Sequence, residues 1–381
     1  MKKVMFMINS LNGGGAEKVL QTLLANLDYR KYDVTLYSMH RENIAELDYP
    51  SQIHYKVVFD RYAGKNALWR RVREFAGKVK GKLFTIVPSK LFYTLFFHEK
   101  YDVEIAFIEG ESTKIISGST NRQSKKYAWV HIDLQQNPWT DFLYQSVEDE
   151  RAHYEAFDKI LCVSEATRKA FLHKYSVMPS KVCTHYNPID VKYIMSKAED
   201  VTYQFDKAVT HIVAVGRLVE QKGFDRLLEA AIALKADGLQ FVIHIIGDGP
   251  CNSELQQFIL EHGLEKNVRL YGYLKNPYPL MKSGDILVCS SRAEGYSLVV
   301  AEGIVLGLAI VTTDCSGPSE LIGAGAYGIL TENSTKGIYL GLKEIISNSD
   351  LLEKYKGLSY VRRNMFDIER NLKQIEGIID S

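Results

Sequence analysis

The run Asp285-Ile286-Leu287-Val288-Cys289-Ser290-Ser291-Arg292-Ala293-Glu294-Gly295-Tyr296-Ser297-Leu298-Val299-Val300-Ala301-Glu302 reads as an apolar strand, a short polar turn and an apolar helix starting near Ser297. A strand that passes through a turn into a helix is half of a βαβ unit. The first backbone N–H groups of such a helix lack intrahelical partners and point back toward the turn, as an anion site requires. Glu294 falls in the turn, and Glu302 lies about one and a half turns into the helix. A carboxylate beside an anion hole, with a second further along, suits a ligand that carries both phosphates and hydroxyls. Glu294 repels phosphate and is expected to bind sugar hydroxyls. Glu302 is expected to accept hydrogen bonds from a ribose.

The same alternation extends outward from this run. Upstream in the second half, residues 211–215 read as a strand, 224–236 as a helix, 241–246 as a strand and 253–262 as a helix. Short elements near 268–271 and 277–281 lead into the glutamate pair, and 308–312 is one more strand. The first half repeats the pattern, with strands at 4–8, 32–38, 103–108, 127–131 and 159–163. Its helices fall at 16–27, with Val19, Leu20, Leu23, Leu24 and Leu27 on one face, and at 165–175. The pattern predicts α/β architecture with two Rossmann-like parallel sheets. A polar bridge after Asn187-Pro188-Ile189-Asp190 marks the boundary, and residues 351–379 read as helical.

The totals exclude several classes. At 381 residues, 46% hydrophobic and 24% charged, the chain has the composition of a two-domain globular protein. A net charge of +1 gives no nucleic-acid signature, although residues 1–200 carry about +5 and residues 201–381 about −4. Five scattered cysteines without a CxxC pair fit a reducing cytoplasm and argue against structural zinc. The apolar stretch after Met1 is too short for a signal-peptide core, and no run reaches membrane-spanning length.

Four further groups point to chemistry. Gly13-Gly14-Gly15 follows the first strand, but Lys18 stands where a dinucleotide fingerprint needs its last glycine, so NAD binding is not indicated. No Walker-type phosphate loop occurs. Arg217, just past a strand end, and Lys222 offer a planar fork and a mobile point charge suited to a diphosphate. In Gly247-Asp248-Gly249-Pro250, small residues leave room for a flat base. His131 ends a strand and would face an interdomain cleft, where a neutral imidazole can hydrogen-bond a sugar. Glu109-Gly110-Glu111-Ser112-Thr113 ends the preceding strand and is read as facing the same cleft. No D-x-D motif is present to hold a metal–diphosphate complex.

The stretch from Arg61 to Lys90 is strongly basic, opposed only by Glu74, and is interleaved with Trp69, Phe75, Phe84 and the apolar residues 91–97. Such a surface suits an anionic lipid interface, at ~1 kcal/mol per well-placed cation.

Taken together, Gly13-Gly14-Gly15-Ala16-Glu17, Val163-Ser164-Glu165-Ala166-Thr167, Asn187-Pro188-Ile189-Asp190, Val215-Gly216-Arg217 with Lys222-Gly223, Gly247-Asp248-Gly249-Pro250, and Glu294-Gly295-Tyr296-Ser297 with Glu302 resemble the retaining GT-B glycosyltransferases of family four, the glycosyl transferases group 1. Tyr296-Ser297 stands where Phe-Gly is common in that family. The resemblance implies a GT-B fold, two Rossmann-like domains facing across a cleft. It places an acceptor domain at 1–196, a donor domain at 197–362 and a return helix at about 363–381 on the first domain. It assigns Arg217 and Lys222 to the donor diphosphate, Glu294 to the donor sugar and His131 to the reacting centre. The donor site would further comprise Gly13, Gly14, Gly15, Gly216, Gly247, Asp248, Tyr273, Gly295, Tyr296, Ser297, Leu298, Val299 and Glu302.

The implied activity is metal-independent, cofactor-free transfer of a sugar, with retention, from a nucleotide sugar to a lipid-linked or surface-polysaccharide acceptor. UDP is the expected carrier. The expected location is cytoplasmic, at the membrane surface through residues about 61–97. A sugar-nucleotide epimerase on the same fold, or a non-catalytic nucleotide-sugar-binding subunit, are the competing readings.

Overall fold

The computed structural model describes residues 1–11, 14–42, 49–59, 79, 84 and 86–381. Most of the basic stretch at 61–90 therefore lies outside the described residues, as does Gly13. The chain divides into two compact units, Met1–Pro188 with Glu369–Ser381, and Ile189–Ile368. The divisions fall after Pro188 and Ile368, where the sequence reading put them after 196 and 362.

The first unit is built on a seven-stranded parallel sheet, β1 (Lys2–Ile8), β2 (Tyr32–His40), β3 (His54–Phe59), β4 (Val103–Ala106), β5 (Lys125–Val130), β6 (Lys159–Cys162) and β7 (Val182–Thr184). Their order across the sheet is β3-β2-β1-β4-β5-β6-β7. The strands read as near-continuous apolar runs because helices cover both faces. The helix Gly15–Asn26 buries Val19, Leu20, Leu23 and Leu24, the face that the 3.6-residue period predicts. Ser164 caps the helix Glu165–Tyr175 by accepting from the Thr167 N–H. The C-terminal helix Ile368–Asp380 returns to this unit. It buries Ile375 and Ile379, four residues apart, and the Ile379 carbonyl accepts from Lys2 Nζ at 2.7 Å. Tyr32 Oη donates to Asp380 at 3.0 Å.

The second unit holds a six-stranded parallel sheet, β8 (Thr210–Val215), β9 (Phe241–Ile246), β10 (Val268–Leu270), β11 (Ile286–Cys289), β12 (Ala309–Thr313) and β13 (Ile329–Thr331). Its order is β10-β9-β8-β11-β12-β13. One face is covered by the helix Phe224–Ala236, which packs Leu227, Leu228, Ala231 and Leu234 with Ile212, Ala214, Ile243 and Ile245. The helix Val191–Lys197 also belongs here, since the Lys197 carbonyl accepts from Asn276 Nδ2 at 2.8 Å.

The helix Leu298–Leu306 is apolar on every side and buried from Val300 to its end. A helix of that composition is stable only inside a core. It comes very close to β11, because a Cβ on Gly303 would meet a Leu287 methyl at 2.6 Å.

Gly247, which follows β9, has φ +140°, and a Cβ there would lie 1.9 Å from the Gly216 carbonyl oxygen. Gly247→Ala is therefore expected to cost about 3 kcal/mol, lowering Tm by roughly 6–12 °C. Gly238→Ala, also at positive φ but with nothing within 4 Å, should cost only about 1 kcal/mol. Equal melting shifts for the two variants would refute the collision argument.

Candidate active site

In the second unit the central strands β8 and β11 are neighbours, and the chain leaves them toward opposite edges of the sheet. Their carboxyl ends form the topological switch point, where open α/β sheets place ligands. Arg217 and Lys222 leave from β8, and Ser291 and Glu294 leave from β11. Residues 72 positions apart meet there, with Lys222 Nζ 2.5 Å from Glu294 Oε1. Ser291 Oγ donates to that same oxygen at 2.8 Å. Both internal partners use Oε1, which leaves Oε2 without a protein hydrogen bond among the described residues.

Lys222 is held in place by its own backbone. Gly223, at φ +64°, allows the loop to touch the end of β11, since a Cβ there would lie 2.2 Å from the Ser290 carbonyl oxygen. Ser290 Oγ donates to the Lys222 carbonyl at 2.9 Å. Burial by itself would lower the Lys222 pKa, but the Glu294 charge and hydrogen bond outweigh it and the ammonium is held above its ordinary value.

The turn that carries Glu294 is fixed from several directions. Arg292 makes a bidentate pair with Asp225, at 2.8 and 2.6 Å. Gln221 Nε2 donates to the Ala293 carbonyl at 2.9 Å, and Thr313 Oγ1 donates to the Ser291 carbonyl at 2.6 Å. The sequence reading missed these supports, because Gln221, Asp225 and Thr313 come from elements distant in sequence.

Ser297 caps the helix Leu298–Leu306, its hydroxyl accepting from Val300 N–H. The N–H groups of Leu298 and Val299 have no partner among the described residues. Open N–H groups and a helix dipole together suit an anion. Glu302, five residues into the helix and only 3% exposed, accepts a hydrogen bond from Tyr278 Oη at 3.1 Å. A carboxylate inside an otherwise apolar helix is costly to bury, so packing does not account for it.

The remaining donor-side residues are dispersed. Arg217 is exposed and makes no side-chain bond among the described residues. Gly247 lies against the Gly216 backbone, where a Cβ would meet the Gly216 carbonyl oxygen at 1.9 Å, and a Cβ on Gly216 would touch the Lys222 side chain at 3.5 Å. The Asp248 carboxylate accepts from Gly249 N–H at 2.7 Å and Asn252 Nδ2 at 3.1 Å, locking a turn before the helix Asn252–Glu261. Tyr273, 73% exposed, follows β10, two strands from β8.

In the first unit, Gly14 and Gly15 are exposed at the start of the helix Gly15–Asn26. His131 lies one residue beyond β5. Its ring packs against Phe107 and Trp129, with centroids at 5.1 and 6.2 Å. Burial pushes its pKa down to about 3, only partly offset by a hydrogen bond to the Phe107 carbonyl. Nε2 is buried and has no partner among the described residues. The imidazole is therefore neutral at ordinary pH, with one nitrogen donating to a carbonyl and a lone pair on the other. Glu109 does not face outward as the sequence suggested. It is 1% exposed beneath the His131 turn, where Trp139 and Leu143 pack over Gly110.

This architecture is the GT-B fold. S. aureus TarM, crystallised with UDP and other ligands, matches it with a TM-score of 0.77 at 14% identity over the full length of both chains. Anabaena HepE, crystallised with UDP and glucose, also gives 0.77, at 19% identity and full coverage of both. The Glycosyl transferases group 1 profile matches residues 197–362. The N-acetylgalactosamine-N,N'-diacetylbacillosaminyl-diphospho-undecaprenol 4-alpha-N-acetylgalactosaminyltransferase of Campylobacter jejuni is 30% identical over 370 residues, covering 96% of each chain. The amylovoran biosynthesis glycosyltransferase AmsD of Erwinia amylovora is 23% identical, with full coverage of both. The chain belongs to the group 1 glycosyl transferases.

Proposed function

We propose that this protein transfers a sugar from a UDP-sugar, with retention of anomeric configuration, to a lipid-linked or polysaccharide acceptor of the cell envelope. The observation that carries the reading is the Lys222–Glu294–Ser291 arrangement beside an open helix start. Lys222, Arg217 and the Leu298 and Val299 N–H groups neutralise the diphosphate as it leaves. Glu302 accepts from the ribose, and Glu294 Oε2 accepts from a hydroxyl of the donor sugar. These cations and dipoles do the work of a divalent metal, so we assign a metal-independent reaction without a cofactor. In the first unit, the neutral His131 is suited to accept a hydrogen bond from a sugar hydroxyl. Retention follows from attack on the face the phosphate leaves, with a phosphate oxygen taking the acceptor proton, so no protein nucleophile is required.

The acceptor class is drawn from the relatives, whose names specify a diphospho-undecaprenol-linked glycan and amylovoran synthesis. Among the described residues no helix is long and apolar enough to cross a membrane. We assign peripheral contact with an anionic cytoplasmic membrane surface. Exposed Ile86, Leu91 and Leu95, beside Lys90 at the helix Ser89–Phe96, support that contact.

The test begins with melting curves in a panel of nucleotides and nucleotide sugars. UDP at 100 times its Kd should stabilise by about 2.7 kcal/mol. The stabilising donor is then incubated with an undecaprenyl-diphosphate glycan, with and without EDTA, and the product anomer is read by NMR. An α-linked product from an α-linked donor, at a rate unchanged by EDTA, is expected. No nucleotide-induced shift, an inverted product or loss of activity with EDTA would each refute the corresponding part.

A further inference from the structure

Beneath the His131 turn, one oxygen of Glu109 collects two backbone donors. Oε1 accepts from the N–H of His131 and from that of Ile132, the latter at 2.9 Å. The carboxylate comes from the turn between β4 and the helix Glu111–Ser117, so it ties the carboxyl ends of two adjacent strands, β4 and β5. The two peptide groups it grips are the ones that set the direction of the His131 side chain as the chain leaves the sheet. Few other restraints act on that ring. It has one hydrogen bond, to the Phe107 carbonyl, and flanking aromatic contacts.

We infer that Glu109 is a positioning residue: its carboxylate fixes the His131 backbone so that the unpartnered Nε2 is aimed for use. The inference rests on the reading of His131 as a sugar-binding group. A structural acid would be expected to pair with a cation or lie at the surface. Glu109 instead spends its buried charge on the backbone of a histidine whose Nε2 has no partner among the described residues, and charge-assisted bonds of this kind are the stronger ones. Burial raises the Glu109 pKa to about 7, although hydrogen bonds from its own N–H and those of His131 and Ile132 pull it down. The titratable groups around it are Glu150 and Tyr154 of the helix Val147–Glu155, Tyr144 ahead of that helix, Cys162 of β6 and His131 itself. Lys174 approaches Glu150 at 4.0 Å. Ionisation of Glu109 strengthens its grip, so positioning improves as pH rises through neutrality.

The experiment compares wild type, Glu109→Gln and Glu109→Ala in the full chain. The Gln amide oxygen can still accept both N–H groups but carries no proton to lose. Selective [15N]-histidine labelling should show a downfield His131 amide that titrates near pH 7 in wild type and is pH-independent in Glu109→Gln. Wild-type kcat should rise across the same interval. Glu109→Gln should keep kcat within roughly tenfold with that limb removed, and Glu109→Ala should lose roughly 30-fold or more in kcat, with donor KM changed less than about threefold. An amide that does not titrate in wild type overturns the inference whatever the activity. So does a Glu109→Gln profile with the wild-type midpoint, or a Glu109→Ala variant with near-normal kcat. Failure of the functional reading is distinguished from these, since it leaves the amide titration intact while wild type turns over no donor.

Discussion

Glu294→Gln is expected to lower kcat for sugar transfer by roughly 10²–10³-fold while leaving UDP affinity unchanged or up to about tenfold tighter. The opposite signs follow from the ion pair. The Lys222 ammonium is matched by Glu294 at 2.5 Å, so an incoming diphosphate competes with a carboxylate for it. Gln is isosteric and can still accept from Ser291 Oγ, but it frees the Lys222 charge for the nucleotide. The oxygen assigned to the sugar becomes an amide group of the wrong hydrogen-bonding kind. Calorimetric titration with UDP and steady-state kinetics would check this together. A variant with near-normal kcat, or one that binds UDP more than tenfold weaker, would sink the assignment.

Lys222→Met should weaken UDP binding by roughly 100-fold. The loss exceeds that of a missing contact because Glu294, 8% exposed, is left as an unpaired anion facing the position of a phosphate. The double variant Lys222→Met/Glu294→Gln should therefore bind UDP better than Lys222→Met alone. Titration of the three variants and wild type closes a double-mutant cycle. Additive losses would show that the pair is not coupled in the nucleotide complex.

Strand and helix alternation was legible because a parallel sheet covered on both faces leaves short apolar runs between amphipathic helices. The strand at 159–163 and the helix at 165–175 fall within a residue of their observed bounds. The strands β3, β7 and β13 were not read: β7 and β13 are three residues long, and β3 opens on His54, Tyr55 and Lys56 and buries only Val58 and Phe59. Residues 351–379 were read as one helical segment, but the short turn Arg363–Met365 separates the helix Ser349–Arg362 from the helix that returns to the first unit.

In the site, Lys222 and Glu294 could each be named from their loops, yet their contact could not. Pairing depends on β8 lying beside β11, and strand order is a property of the whole sheet. Glu109 was misplaced for a related reason. An acid at a strand's carboxyl end usually faces outward, but this one turns under the end of the neighbouring strand to accept from the N–H groups of His131 and Ile132. The close approach of Gly247 to the Gly216 carbonyl could not be read either, because it too depends on β9 lying beside β8.

The helix Leu298–Leu306 has a consequence for redesign. Its open N–H groups and Glu302 are part of an element enclosed by core on all sides, so altering the phosphate or ribose grip means repacking the interior of the domain. The loop after β10, where Tyr273 is exposed, carries no such constraint, whereas in the loop after β9 Gly247 and Gly249 must stay as glycine. A library aimed at a different nucleotide base or donor sugar should therefore be spread along that outer side of the sheet. The enclosed helix should be left as it stands.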